Sequence, residues 1–104
     1  MAGFEGIISG QDTIERATRV AGCVAELGVP RLLLQTQVEE SWLEARATNL
    51  PAEIIRAVSG LEGAETFEIS APSIRAIFRF GAHDASWTCS DAHAALELRR
   101  RLNG

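Results

Sequence analysis

ETFEISAPSIRAIFRF, residues Glu65 to Phe80, is the stretch that decides the fold. Phe67 and Ile69 alternate with Thr66, Glu68 and Ser70, and Ile74, Ala76, Phe78 and Phe80 alternate with Arg75, Ile77 and Arg79. A period of two is that of a strand with one buried face. Ala71-Pro72-Ser73 between the two runs reads as a turn in which proline presets φ. The stretch is therefore a β-hairpin. A loop of Ser70 to Ser73 pairs Ile69 with Ile74 and Phe67 with Ala76. It places Phe67, Ile69, Ile74, Ala76, Phe78 and Phe80 on one buried face and Glu68 opposite Arg75 on the other. A three-residue loop would mix apolar and charged residues on each face, because a slip of one residue reverses every side chain.

The flanks supply the covering helices. Asp12 to Leu27 has Asp12 as N-cap and Glu15 three residues later, a capping-box spacing. Ile14, Ala17, Val20, Ala21, Val24 and Leu27 form its apolar stripe, and Gly28 followed by Pro30 stops it. Gly22 interrupts this helix, marking either close contact with the sheet or tolerated slack. Glu26 reads as a surface residue. Pro51 to Ser59 is a short helix with proline near its start, Gly60 after its end, and Ile54, Ile55, Val58 and Leu61 on its apolar side. Ser90 caps a last helix, Asp91 to Leu102, whose Arg99-Arg100-Arg101 triplet suits the negative end of the helix dipole.

Arg31 to Val38 reads as a largely buried strand, Phe4 to Ile8 as an edge strand, and Ala85 to Cys89 as a short strand anchored by Trp87. Glu39 to Asn49 is rich in helix formers and is expected to be helical. The competing reading is a strand, Trp42 to Thr48, after a turn at Glu39-Glu40-Ser41. The whole, residues 1–104, is expected to be a single α+β domain. Its architecture is a two-layer sandwich with an antiparallel or mixed sheet of three to five strands and helices mainly on one face.

Composition narrows function more by exclusion than by assignment. No apolar stretch is long enough to span a membrane, and MAGFEGIISG lacks the basic start of a signal peptide. A cytoplasmic location is the expectation. Net charge is −4, with eleven acids and five arginines in residues 1–70 (−6) and three acids and five arginines in residues 71–104 (+2). This balance argues against a nucleic-acid partner, whose phosphates need neutralising. Lysine is absent, which excludes Schiff-base and P-loop lysine chemistry. No nucleotide-binding, zinc-protease, hydrolase or calcium-loop motif occurs.

Two candidate sites remain. Glu39, Glu40, Glu44, Glu68, Arg75 and Arg79 are candidate partner-binding residues of a non-enzymatic protein-binding module: an adaptor, an inhibitor or a small chaperone, with homodimerisation open to it. The alternative is a small metal- or ligand-binding domain centred on residues 83–93, where His83, Cys89 and His93 are ligand types that zinc accepts. Their spacing matches no standard zinc site, and packing or capping roles account for most of these side chains. Cys89 just before a helix start, with His93 one turn on, also has the makings of an activated thiolate. Cys23 falls in the apolar stripe and reads as packing.

Overall fold

The computed structural model describes residues 3–45, 48–59 and 66–103. Its elements run β1 (Phe4–Ile7), α1 (Thr13–Glu26), β2 (Arg31–Gln35), β3 (Glu40–Glu44), α2 (Leu50–Val58), β4 (Phe67–Ala71), β5 (Ala76–Phe80), β6 (Ala85–Cys89) and α3 (Ala92–Leu102). The strands form one six-stranded sheet in the order β1-β6-β5-β4-β2-β3, antiparallel throughout. The chain is thus α+β, with one strand more than the three to five expected.

The additional strand is β3, in the segment whose propensity favours helix. Two cross-strand contacts explain the difference. Leu43 sits opposite the buried Leu32, and Trp42 sits opposite Leu33 with the Arg31 guanidinium 4.6 Å from its ring centroid. Strand preference is largely a matter of such neighbours, so tertiary pairing overrides a modest local bias. The β2–β3 turn is fixed by Thr36. Its Oγ1 accepts from the Val38 and Glu39 amides at 3.3 and 3.2 Å, and its own amide donates to the Glu39 carbonyl at 2.9 Å. The turn therefore precedes Glu40 instead of occupying Glu39 to Ser41.

The central hairpin keeps the expected faces but not the expected register. Phe67 pairs with Phe80, Glu68 with Arg79, Ile69 with Phe78 and Ala71 with Ala76. The loop is Pro72 to Arg75, not Ser70 to Ser73. Pro72–Ile74 form a 3-10 turn, and Arg75 closes it in the left-handed region at φ 52°. The sliding of the loop by two residues preserves parity, so Phe67, Ile69, Ala76, Phe78 and Phe80 remain buried together. Ile74 leaves the strand and packs only partly against the core. The observed register stacks the Phe67 and Phe80 rings, with centroids 4.6 Å apart and planes 5° apart. It also brings Arg79 Nε to 2.8 Å from Glu68 Oε2, the place expected for Arg75.

The helices behave as their sequences require, with small shifts. Asp12 caps α1, its Oδ1 accepting from the Glu15 amide at 2.8 Å; Glu15 in turn accepts from the Gln11 amide at 2.8 Å. Gly28 follows α1 at φ +74°, where a side chain would be strained. Ile14 does not join the apolar stripe and is 52% exposed. The N-cap of α3 is Asp91 rather than Ser90; its Oδ1 accepts from His93 N at 3.0 Å and Ala94 N at 3.4 Å. Glu26 is not a lone surface residue, since it pairs with Arg101 across α1 and α3. The expected role of Gly60 and Leu61 at the end of α2 falls outside the described residues.

The buried strand side chains come from one face of the sheet: Leu32 and Leu34, Phe67, Ile69 and Ala71, Ala76, Phe78 and Phe80, Ala85, Trp87 and Cys89. They form one core with the buried residues of all three helices. Helix α1 touches both other helices, α3 lies against β1 and β6, and α2 against β3.

Three substitutions test this packing. Phe78 is fully buried, so Phe78→Ala is expected to lower unfolding free energy by about 3–5 kcal/mol, read from urea denaturation. The two glycines predict opposite signs. A Cβ on Gly22 meets nothing within 4 Å, whereas a Cβ on Gly6 would lie 2.7 Å from the Trp87 indole. Gly22→Ala should therefore stabilise by up to about 1 kcal/mol. Gly6→Ala should destabilise by about 1–3 kcal/mol, because the ring or the edge strand must move. A destabilising Gly22→Ala would mean that helix α1 packs more closely than described.

Candidate functional site

The second face of the sheet carries the charges. Cross-strand registers align its side chains in rows. One row runs Glu40, Gln35, Glu68, Arg79, Ser86 and Ile7. The next runs Trp42, Leu33, Ser70, Ile77, Thr88 and Glu5. Beyond Trp42, Glu44 pairs with Arg31. The face thus has a middle row that is apolar and hydroxyl as far as Thr88 and ends in Glu5 at β1, with Trp42 at its β3 end and carboxylates on both sides of that tryptophan.

Several contacts hold these side chains in place. Gln35 Nε2 donates to Glu40 Oε2 at 3.1 Å, and Arg79 Nε donates to Glu68 Oε2. Both members of the Glu68–Arg79 pair are about half exposed, so the pair contributes about 0.2–1 kcal/mol and mainly fixes side-chain position. Arg31 over Trp42 adds about 0.5–1 kcal/mol as an exposed cation–π contact. Trp42 nevertheless remains 51% exposed, while Leu33 and Ile77 are half-buried.

Among the six residues expected to bind a partner, Glu40, Glu44, Glu68 and Arg79 fall on this face. Glu39 lies in the β2–β3 turn and Arg75 in the β4–β5 loop. From that loop Arg75 lines an open depression of about 460 Å³ at the β1 end of the face, together with Glu5, Ile77 and Thr88 of the middle row. The charge count along the sequence misses Trp42, Leu33 and Ile77. The outward parity of Ile77 in the hairpin was their one visible signal.

Residues 83–93 are not gathered into a site. Among the described residues, no group of three or more His, Cys, Asp or Glu side chains is placed to hold a metal ion. His83 is exposed in the β5–β6 turn, and His93 is exposed on the first turn of α3. Cys89 is buried, with Sγ 3.2 Å from the Ile74 carbonyl oxygen and 3.4 Å from that of Asp91. Burial pushes its thiol above the usual 9.0, against the pull of the hydrogen bond to the Asp91 backbone and of nearby Arg75. The helix start therefore does not make Cys89 a thiolate. Cys23 is buried too, and burial pushes it up to about 11 despite Arg101 nearby.

Both thiols should accordingly resist alkylation in the folded protein at mildly alkaline pH and react quickly once urea unfolds it. The linkage has a definite sign. A thiol held protonated by the fold favours folding fully below its unfolded value. The contribution of Cys23 is therefore present below about pH 9 and is lost as pH rises towards about 11. A Cys23→Ala variant should lose less stability than the parent over that window. Rapid alkylation of Cys89 in the folded state would restore it as a nucleophile.

No described helix is long and apolar enough to cross a membrane. Comparison with protein-family models, with curated proteins and with solved structures finds no match to the chain.

Proposed function

We propose that the chain is a non-enzymatic protein-binding module, of the adaptor, inhibitor or small-chaperone kind. It engages a basic partner through the second sheet face and the acidic edge beside it. The helices cover one face of the sheet and leave the other to the partner. The observation that carries this reading is Trp42. A large aromatic, half exposed and with the Arg31 guanidinium over its ring, stands between two carboxylates at the end of a row that continues through Leu33, Ser70 and Ile77. Aromatic anchors surrounded by polar residues are the usual energetic centres of protein interfaces. The −6 balance of residues 1–70 gives the surface its sign. Opposite charge on a partner raises the encounter rate and makes it sensitive to salt.

The test uses the folded protein against a displayed library of short random peptides. Selected peptides are expected to be rich in arginine and lysine. Their association should slow as salt rises past about 0.15 M, where the Debye length is roughly 8 Å. Joint charge reversal, Glu40→Arg with Glu44→Arg, should reduce the association rate by about tenfold or more. Trp42→Ala should chiefly speed dissociation, and Cys89→Ser with His93→Ala should leave binding unchanged. Binding that survives both the charge reversal and Trp42→Ala, but is lost in a folded Cys89/His93 variant, would overturn the reading.

A further inference from the structure

We propose that the outer edge of β3 is a receptor for one extended basic strand, which joins the sheet antiparallel as a seventh member. This names the partner class for the binding surface proposed above and rests on that reading.

The two edges of the sheet are finished differently. In β1 the amide of Ile8 bonds inward to Ala85, so Glu5, Ile7 and Ser9 turn their backbone groups outward. The end of α3 meets two of these: Ile7 N donates to Asn103 Oδ1 at 3.3 Å and Ser9 N to the Leu102 carbonyl at 2.9 Å. That edge is largely closed. In β3 the Glu39 carbonyl accepts from Thr36 and the Ala45 amide donates to Pro30, so odd-numbered residues face β2. Glu40, Trp42 and Glu44 therefore turn their amides and carbonyls away from the sheet. Among the described residues nothing pairs with that row. An unpaired row of backbone groups is a template for another strand, and strand addition to such an edge is an established mode of peptide recognition.

Side-chain chemistry chooses the occupant. Residues of an incoming strand opposite Glu40, Trp42 and Glu44 share their face of the sheet. Basic, apolar and basic side chains fit those three positions. A second copy of this chain fits less well in the register centred on Trp42, which would set each Glu40 against a Glu44, and like charges directly opposed are destabilising. That register is thereby disfavoured, while a strand of the other sign meets no such repulsion.

The probe is a synthetic peptide in which lysine, isoleucine and lysine alternate with threonine. Titration is followed by the fluorescence of Trp42, since Trp87 is fully buried. N-methylation of the lysine and isoleucine residues, whose amides would point at β3, should weaken binding by at least about tenfold; N-methylation of the intervening threonines should change it by no more than about twofold. Only the peptide is altered, so folding of the protein is not at issue. Equal effects of the two methylation patterns would overturn strand addition while leaving the open-face reading in place, whereas equal binding of a glutamate-for-lysine peptide would overturn the choice of a basic partner on which both readings rest. Strand addition alone also falls if library-selected peptides bind through Trp42 and the alternating peptide does not. If neither the alternating peptide nor any library peptide binds, both the edge and the module reading fall.

Discussion

Phe78 and Trp87 lie opposite each other on neighbouring strands, and both are closed to solvent. The remaining packing depends on that pair staying on one side of the sheet. Ile69 extends the row across β4 and Leu34 extends it across β2, while Gly6 provides the gap in which the Trp87 indole rests. Large side chains at the centre taper to Ala71, Ala76 and Cys89 towards one end and to the Phe67–Phe80 stack towards the other. Moving a strand by one residue would expose its share of this surface and, in every strand but β6, whose outward residues are Ser86 and Thr88, bury a carboxylate or an arginine in exchange. A unit charge without a partner in the interior costs far more than any local propensity can return. Parity is therefore the constraint that the fold enforces most strictly.

The same constraint explains what could be read from the sequence. A period-two pattern fixes which residues share a face, and Phe67, Ile69, Ala76, Phe78 and Phe80 were assigned to theirs correctly. The pattern is unchanged by a slide of two residues, so it could not place the loop. That choice belongs to contacts between strands: the stacked phenylalanines, the Glu68–Arg79 pair, and a 3-10 turn that puts Arg75 in the left-handed region. Nothing in the arginine itself announces that conformation, which glycine or asparagine would have signalled. Helix α1 was legible because its signals are local: Asp12, Glu15 and Gly28 each act within a few residues. Strand β3 is not legible locally, for the converse reason. Its partners Leu32 and Arg31 act across the β2–β3 turn, and a propensity reading of ESWLE does not contain them.

The strand state of Glu40–Glu44 also decides whether Trp42 joins the carboxylates of the candidate site. On a helix, Glu40, Trp42 and Glu44 would not point in a common direction; on a strand all three stand on the second sheet face. The acidic bias of residues 1–70 was visible as a count, but its arrangement around Trp42 was not. Density in the sequence misled in the opposite direction at residues 83–93. His83, Cys89 and His93 are neighbours along the chain. A strand and a turn lie between the first two, however, and the inward parity of β6 buries Cys89. Proximity in sequence becomes proximity of side chains only where the backbone period brings them round, and a strand of five residues carries its ends apart.

Glutamates at 40 and 44 have consequences whether or not a partner is present. A sheet that ends in an unpaired strand risks pairing with its own copies, and charge on the edge is a common protection. At β1 the protection is physical, through the end of α3. At β3 it is electrostatic, and it acts at the outward residues whose backbone groups are unpaired. Electrostatic protection differs in being selective, since it repels only one sign. On our reading this is why the two edges need not be equivalent: closing both with helix ends would prevent aggregation equally well but would leave no place to bind. In the proposal made above, carboxylates beside an aromatic anchor disfavour pairing between copies and keep a row of hydrogen-bonding groups for a basic strand. Salt weakens the repulsion between copies and the attraction to a basic strand together, because both act through the same exposed carboxylates.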